Sequence, residues 1–599
     1  MQGQISNYYR VNKAKCDEEI VRLDRLINTY SFMRLFALAT GIILFYQSIK
    51  YELFWLSFLI VPIFILGFTW LVSKQSLFQK QMNYFRNLGD VHANELMSLD
   101  RKSNIYPDGS IFEDDLHPYS SDLDIFGKRS LFEMMNRCAT VSGNAKLAGW
   151  LMEPASICEI KERQAVLSEL DSKLEWKHHF QAVLLFSNTS SDDQVKELFR
   201  YLKTAPEESG LWIKKYVRLI PWLFSILAIS AWFIPFLIIP LLVLIICNIF
   251  LMQHYGARVA KTDSMIGKMS RILHHFSEAI SAIRDEKWVS PLSKNLAADI
   301  KDNKNGRLSE QIKQFSLLIN HLTFGQTGPG AILNAIMLWN IRQIFAIEDW
   351  KKDNHDNLKQ AFDVIAAFEA LISLSSLKTN YPEWCFAKIN EGVRYTLIAE
   401  DIGHPLIPAQ LRVNNEYNLN NELKIDIITG SNMAGKSTLL RTLGVNTVLA
   451  LCGAPSCATQ MEVSRMLVFT YMRIRDSLNE STSTFKAELD RLQFLLKMLD
   501  TSEKVYFLID EMLRGTNSVD KYLGSKAVIE RLISQNAVGI VATHDLQIAE
   551  LEQKYPEYIR NYYFDIQVDG EEMNFDYKLK AGECKTFNAS LLLKRIGIY

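Results

Sequence analysis

An excess of charge of either sign is missing from this sequence: 66 Lys and Arg stand against 67 Asp and Glu over 599 residues, a formal net of −1. That balance removes the global basic signature of a nucleic-acid binder, so any such contact has to come from a local patch. Paired cysteines are missing too. The eight, at 16, 138, 158, 247, 385, 452, 457 and 584, form no C-x-x-C and have no histidine at metal-ligand spacing. Their scatter points to a reducing cytosol, with neither a disulfide framework nor a zinc site. A cleavable leader is not expected, because the first apolar run begins late and no small-residue cleavage pattern follows it. The length allows three or four domains with ample cores.

Charge is also missing locally. Residues 219–252 carry none, over about twice the length that one membrane span needs. Pro221, Pro235 and Pro240 interrupt the block, and Trp222 and Trp232 suit a membrane interface. We expect a transmembrane hairpin turning near 232–240, against the alternative of a very hydrophobic pair of core helices. Residues 34–74 are almost wholly apolar, broken by Lys50 and Glu52. A lysine at mid-membrane costs about 3 kcal/mol and each Leu, Ile or Phe returns about 0.5 kcal/mol, so Lys50 belongs at an interface. This gives a first hairpin with spans of about 35–47 and 53–72, the former short for a bilayer. Ahead of it, Ile20, Leu23, Leu26 and Ile27 give residues 1–30 the pattern of an amphipathic helix.

Basic residues flank both hairpins on their long-segment sides: Arg22, Arg25 and Arg34 before the first, Lys74, Lys80 and Arg86 after it. Lys214, Lys215 and Arg218 precede the second, and Arg258, Lys261 and Lys268 follow it. The positive-inside rule then puts every long segment in the cytoplasm, for a multi-pass protein of the cytoplasmic (inner) membrane.

Residues 101–121, with Pro107, Asp108, Gly109 and Pro118, read as a linker, dividing the hairpin region 1–100 from a helical region over 122–382. From about 383 strand-like pieces appear and then alternate with helices, as in a sheet covered by helices over 383–599. The fold expected is α+β and multidomain: transmembrane hairpins, an all-α core, and a C-terminal α/β domain.

The last region carries the chemistry. Gly430-Ser431-Asn432-Met433-Ala434-Gly435-Lys436-Ser437 follows an apolar strand and opens a helix through Thr438, the arrangement of a phosphate-binding loop. Its glycines let successive N–H groups turn inward, Lys436 reaches the β- and γ-phosphates of ATP, and Ser437 can ligate Mg²⁺. The run 505–509 ends in Asp510 and Glu511. A carboxylate at a strand end holds Mg²⁺ in phosphoryl-transfer sites, and its neighbour can deprotonate the attacking water. We assign Asp510 to the metal and Glu511 to the base. A third strand, 538–542, ends near His544, placed to contact the γ-phosphate.

These motifs resemble the MutS family of ABC-type ATPases. Residues 429–438 are similar to TGPNMGGKST, departing at Ser431 and Ala434, and 509–516 to IDELGRGT, with Leu513 where the family has glycine. Ser483, Thr484, Phe485 and Glu488 resemble the family's STFxxE segment, which implies a role where an opposing subunit reaches the nucleotide. Phe575 to Leu579, with Gly582, Ala589 and Gly597, resembles a helical C-terminal edge through which subunits pair. Residues 131–163 and 370–382 resemble the ends of the family's helical lever. The resemblance implies a homodimeric ATPase using ATP and Mg²⁺, with DNA as a partner in mismatch repair or recombination.

The family's mismatch-reading domain, with its G-x-F-x-E wedge, is missing: the first 100 residues hold a hairpin, and Phe276-Ser277-Glu278 sits in an ordinary helical pattern. An ATP-driven membrane switch that does not touch DNA is the rival reading. A transporter is disfavoured, because the spans hold no Asp, Glu, Lys or Arg to mark a pathway and no L-S-G-G-Q signature is present.

Overall fold

The computed structural model describes residues 2–100, 103–185, 192–204, 210–300, 306–431, 434–472, 484–500, 504–515, 517–569 and 572–583. Two long helices open the chain, α1 (Gln2–Lys50) and α2 (Phe54–Leu99), joined by a turn with Glu52 at φ 56°. Away from the turn they share a small core of Leu23, Ile27 and Met82. Toward the turn they leave large apolar side chains outside, Phe32 at 72% and Leu66 at 71% exposure. Water does not stabilise such a surface, whereas lipid does. The amphipathic helix expected over 1–30 and the span expected over 35–47 are one continuous helix. Arg34 at their junction donates to Gln75 Oε1 at 2.5 Å and lies over the Phe68 ring, which accommodates the cation without breaking the helix.

The helical region begins with α3 (Leu131–Met135), α4 (Val141–Met152), α5 (Ile157–Ser172) and α6 (Leu174–Leu184). Ser130, Thr140 and Ser156 cap the first three by accepting from backbone N–H groups that have no partner within the helix. After α7 (Asp192–Lys203) comes the second hairpin, α8 (Leu211–Phe233) and α9 (Ile238–Ile266), broken by a 3-10 turn at Pro235–Leu237. The break lies within the stretch expected to turn. Trp222 and Trp232 stand 73% and 81% exposed, so the hairpin is not packed inside the helical core.

The remaining helices are α10 (Ser270–Asp285), α11 (Pro291–Ala298), α12 (Leu308–Phe324), α13 (Gly328–Met337) and α14 (Trp339–Asn380). Five described helices are long and apolar enough to cross a membrane; one of these stretches, Asn357–Asn380 of α14, is 89% buried and belongs to the core.

The C-terminal domain contains β1 (Cys385–Phe386), β2 (Lys388–Asn390), β3 (Tyr395–Ile402), β4 (Asn415–Glu422), β5 (Ile425–Thr429), α15 (Lys436–Cys452), β6 (Pro455–Ser456), β7 (Gln460–Ser464) and β8 (Leu467–Tyr471). These are followed by α16 (Thr484–Leu499), β9 (Val505–Asp510), α17 (Ser518–Ser534), β10 (Val538–Thr543), α18 (Leu551–Lys554), β11 (Ile559–Asp569) and β12 (Glu572–Ala581). The main sheet has the order β12-β11-β5-β10-β9-β8, parallel except for β12. Its strands β5, β9 and β10 are buried at every residue, which is why they read as unbroken apolar runs. A smaller sheet, β2-β7-β3-β4, and the pair β1-β6 lie beside it.

Two expectations need correction. The stretch 101–121 is not a free linker. Its described part is a strap between the helical region and the C-terminal domain: buried Tyr106 and Tyr119 donate to Gln181 Oε1 and the Leu151 carbonyl, the Pro118 carbonyl accepts from Thr470 N–H at 2.9 Å, and Arg491 donates to the carbonyls of His117 and Pro118. Its proline and aspartate content signals irregular backbone, and irregular backbone is held firmly when a half-buried arginine satisfies its carbonyls. Residues 575–579 are not helical either. They lie in β12, whose antiparallel pairing with β11 completes the sheet edge; Ala589 and Gly597 lie outside the described residues.

Candidate functional site

Strand β5 delivers the chain at Thr429 into the loop, and α15 starts at Lys436. Gly430 and Gly435 have φ of 149° and 105°, and a Cβ at 435 would come within 3.2 Å of the Tyr577 ring. Both the conformation and the crowding demand glycine. Lys436 is buried, its Nζ donating to the carbonyls of Gly430 at 2.7 Å and Ser431 at 2.8 Å, so its ammonium lies across the mouth of the loop. Ala434 is buried beside it. Thr438 continues the first turn of α15, and its carbonyl accepts from Thr442 Oγ1. Asn432 and Met433 lie outside the described residues.

Two neighbouring parallel strands, β9 and β10, bring the other groups to this loop. From β9 comes Asp510, whose Oδ2 accepts from Ser437 Oγ at 2.6 Å. Burial pushes its carboxyl above the ordinary range, opposed by the Ser437 hydrogen bond and the Arg514 charge. Glu511 follows in the left-handed region at φ 57°, its N–H donating to Ala542 O of β10. From the end of β10, His544 places Nδ1 at 3.2 Å from Glu511 Oε1. Lys436, Ser437, Asp510, Glu511 and His544 thus converge at the C-terminal ends of adjacent parallel strands, where ligands bind in open α/β sheets.

The donor set fits a nucleotide with a hard cation. Ser437 and Asp510 offer oxygen ligands of the type Mg²⁺ prefers. Ser431 Oγ is buried with no hydrogen-bond partner among the described residues, which leaves it free to meet a ligand in the loop.

Ser483 lies outside the described residues, while Thr484 opens α16 and Phe485 is partly exposed beside Gly515. Glu488 is buried, and its Oε1 accepts from the Arg514 N–H at 3.2 Å, bracing the loop after β9 within its own chain. Arg514, which the sequence reading passes over, touches both strand-end acidic residues. Its Nη2 donates to Asp510 O at 2.8 Å, and its guanidinium lies 3.6 Å from both the Asp510 and Glu511 carboxylates. Its place within the run 509–516 is the one signal that could have found it.

Known proteins resemble this chain over its C-terminal domain. The family model "MutS domain V" matches residues 426–590. The DNA mismatch repair protein MutS of Aquifex pyrophilus is 32% identical over 206 residues, 34% of this chain and 24% of that protein. The same-named protein of Methanosarcina acetivorans is 30% identical over 236 residues, 38% of this chain and 25% of its own length. The chain therefore spans about a quarter of the length of the curated relatives it matches. The C-terminal domain is a distant homologue of the MutS ATPase domain, joined in this chain to long apolar helices of membrane-like hydrophobicity.

Proposed function

We propose that this protein is a membrane-anchored, MutS-like ATPase that pairs as a homodimer and couples ATP binding and hydrolysis to movement of its helical region, with DNA as the partner. The observation that carries the proposal is the convergence of Lys436, Ser437, Asp510, Glu511 and His544 on one phosphate loop. The backbone of 430–438 and the start of α15 cradle the phosphates, with Lys436 reaching the β- and γ-phosphates. Ser437 and Asp510 hold Mg²⁺, which when bound neutralises charge developing on the phosphates. Glu511 accepts a proton from the attacking water, and His544, in contact with it, orients that carboxylate and registers the γ-phosphate. By the family resemblance, the segment holding Ser483, Thr484, Phe485 and Glu488 would act where a second subunit reaches the nucleotide, with Glu488 bracing the Arg514 loop from within its own chain. DNA binding in mismatch repair or recombination is supported by the name of the relatives and by their likeness to the C-terminal domain.

A second reading, an ATP-driven membrane switch without DNA, is favoured by two observations. Net charge is −1, and residues 2–99 form a helical hairpin where the family resemblance would lead one to expect a mismatch-reading domain. The deciding experiment measures ATP hydrolysis by the detergent-purified protein with duplex, mismatched and branched DNA over a range of salt. Stimulation that fades as salt rises supports DNA contact through phosphates. Hydrolysis indifferent to every DNA gives the switch reading first place.

A further inference from the structure

Asn248 is a polar residue inside the uncharged block of the second hairpin, and it is fully buried. Its Nδ2 donates to the carbonyls of Ala335 at 3.1 Å and Ile336 at 3.0 Å, in the last turn of α13. Its Oδ1 accepts from the Tyr216 hydroxyl at 3.2 Å. A helix leaves its last carbonyls without partners, and here a side chain from α9 supplies them. The contact fixes the end of α13 at the level of Tyr216, within the basic group Lys214, Lys215 and Arg218 that marks the membrane interface.

The course of the chain agrees. At the end of α12, Thr323 Oγ1 donates to Asp263 Oδ1 at 3.0 Å, near the far end of α9. From there α13 climbs along α8 and α9 to Asn248. The chain bends by 80° at Leu338 and leaves as α14, which meets Tyr255 through Phe345 and Lys214 through Asp349. The whole of α13, GPGAILNAIM, carries no charge and leaves Ile332 64% exposed beside exposed Ala331. Water gives this surface no partner, and the hairpin at its side is the membrane anchor itself.

We propose that α13 is a membrane-interfacial helix, a third lipid contact seated in the cytoplasmic headgroup layer beside the second hairpin, from which α14 runs to the nucleotide domain. Its 10 residues are too few for a span, which takes about 20, but suffice to bury one apolar face at the interface. Backbone that ends at membrane depth must be satisfied by protein groups, and Asn248 meets that condition. The inference rests on the membrane-anchored reading and locates where the α14 rod begins.

The test uses the full chain in vesicles of phosphatidylcholine with phosphatidylglycerol. Cys158, Cys247, Cys385 and Cys584 are replaced by serine, and a single environment-sensitive fluorophore is attached to Ile332→Cys. Ala331→Cys serves as a second probe of the same face, Ile226→Cys on α8 as the membrane control, and Leu411→Cys in the C-terminal domain as the aqueous control. Phospholipid spin-labelled near the headgroup quenches positions 331 and 332, phospholipid labelled deep in the chain quenches 226, and neither quenches 411. Quenching at 226 with none at 331 or 332 overturns the interfacial helix and leaves the anchor standing. Absence of quenching at 226 as well overturns the membrane reading on which it rests.

Discussion

Leu513 holds a left-handed conformation, φ 56°, which costs a side chain about 1–2 kcal/mol relative to glycine. It is nonetheless buried in the core of the C-terminal domain, packed so closely over Gly524 that a Cβ there would sit 2.5 Å from its Cδ1. Burial offsets strain: a leucine in such a core contributes about 2–5 kcal/mol over a truncated side chain. Leu513→Gly should therefore destabilise the domain by roughly 1–3 kcal/mol net, read as a lower melting temperature. A variant at least as stable as the parent would mean that strain outweighs packing here. Beside it, Glu511→Gln keeps the shape of the side chain and removes the base. Hydrolysis should fall by about 10²–10⁴-fold while a fluorescent nucleotide still binds, whereas Lys436→Ala should lose binding as well. Equal turnover by Glu511→Gln and the parent would remove Glu511 from the base role.

Among the elements, α2 is tied to the helical region by a buried ion pair. Arg137 donates to Glu95 at 2.5 and 2.9 Å, Asn380 at the end of α14 donates to Glu95 at 2.8 Å, and Tyr9 of α1 donates to Asn380. Burial alone would raise the Glu95 carboxyl, but Arg137 beside it and the Asn380 hydrogen bond bring it down to about 2 from the ordinary 4.5. A depressed carboxylate stabilises the fold above the unfolded value, and that contribution is lost as pH falls from 4.5 toward 2. Arg137→Met leaves the Glu95 charge buried without its counter-ion, at a cost of about 3–5 kcal/mol. Acid unfolding followed by tryptophan fluorescence should show its midpoint moved to higher pH in that variant; an unmoved midpoint would mean the pair is not what fails in acid. Elements of this kind differ in how far the sequence reveals them. Strands β5, β9 and β10 are legible because burial on both faces forces continuous apolar runs, and the phosphate loop because its glycines have no substitute. β4 is hidden, since only Tyr417 and Leu419 of Asn415–Glu422 are buried and the rest is polar. The bend between α13 and α14 is equally hidden, because Leu338 takes φ 53° through its tertiary setting and carries no glycine to announce it.

At the scale of the whole molecule, the helical region and the C-terminal domain share one hydrophobic core. Arg163 donates to Cys452 O, Arg465 to Ala155 O, and Arg441 pairs with Asp124 across the junction. A core of this kind does not let the two parts lie on opposite sides of a bilayer, so the position of one fixes the other. Both hairpins return their chains to that shared body, and on the membrane-anchored reading their turns, at Glu52 and at Pro235–Leu237, lie at or beyond the far side of the bilayer. On the proposed reading the basic flanks put the body on the cytoplasmic side, where ATP would be available to the phosphate loop. With Cys158, Cys247, Cys385 and Cys584 changed to serine, Glu52→Cys and Phe236→Cys should react with a membrane-impermeant maleimide applied to intact cells. Leu411→Cys, in the exposed surface of the C-terminal domain, should react only after the membrane is opened. Labelling of 411 from outside would invert the protein and separate the nucleotide site from its fuel. Failure of 236 alone would mean that the second hairpin dips into the inner leaflet without crossing, a result its 3-10 break and short uncharged arms would then have to explain.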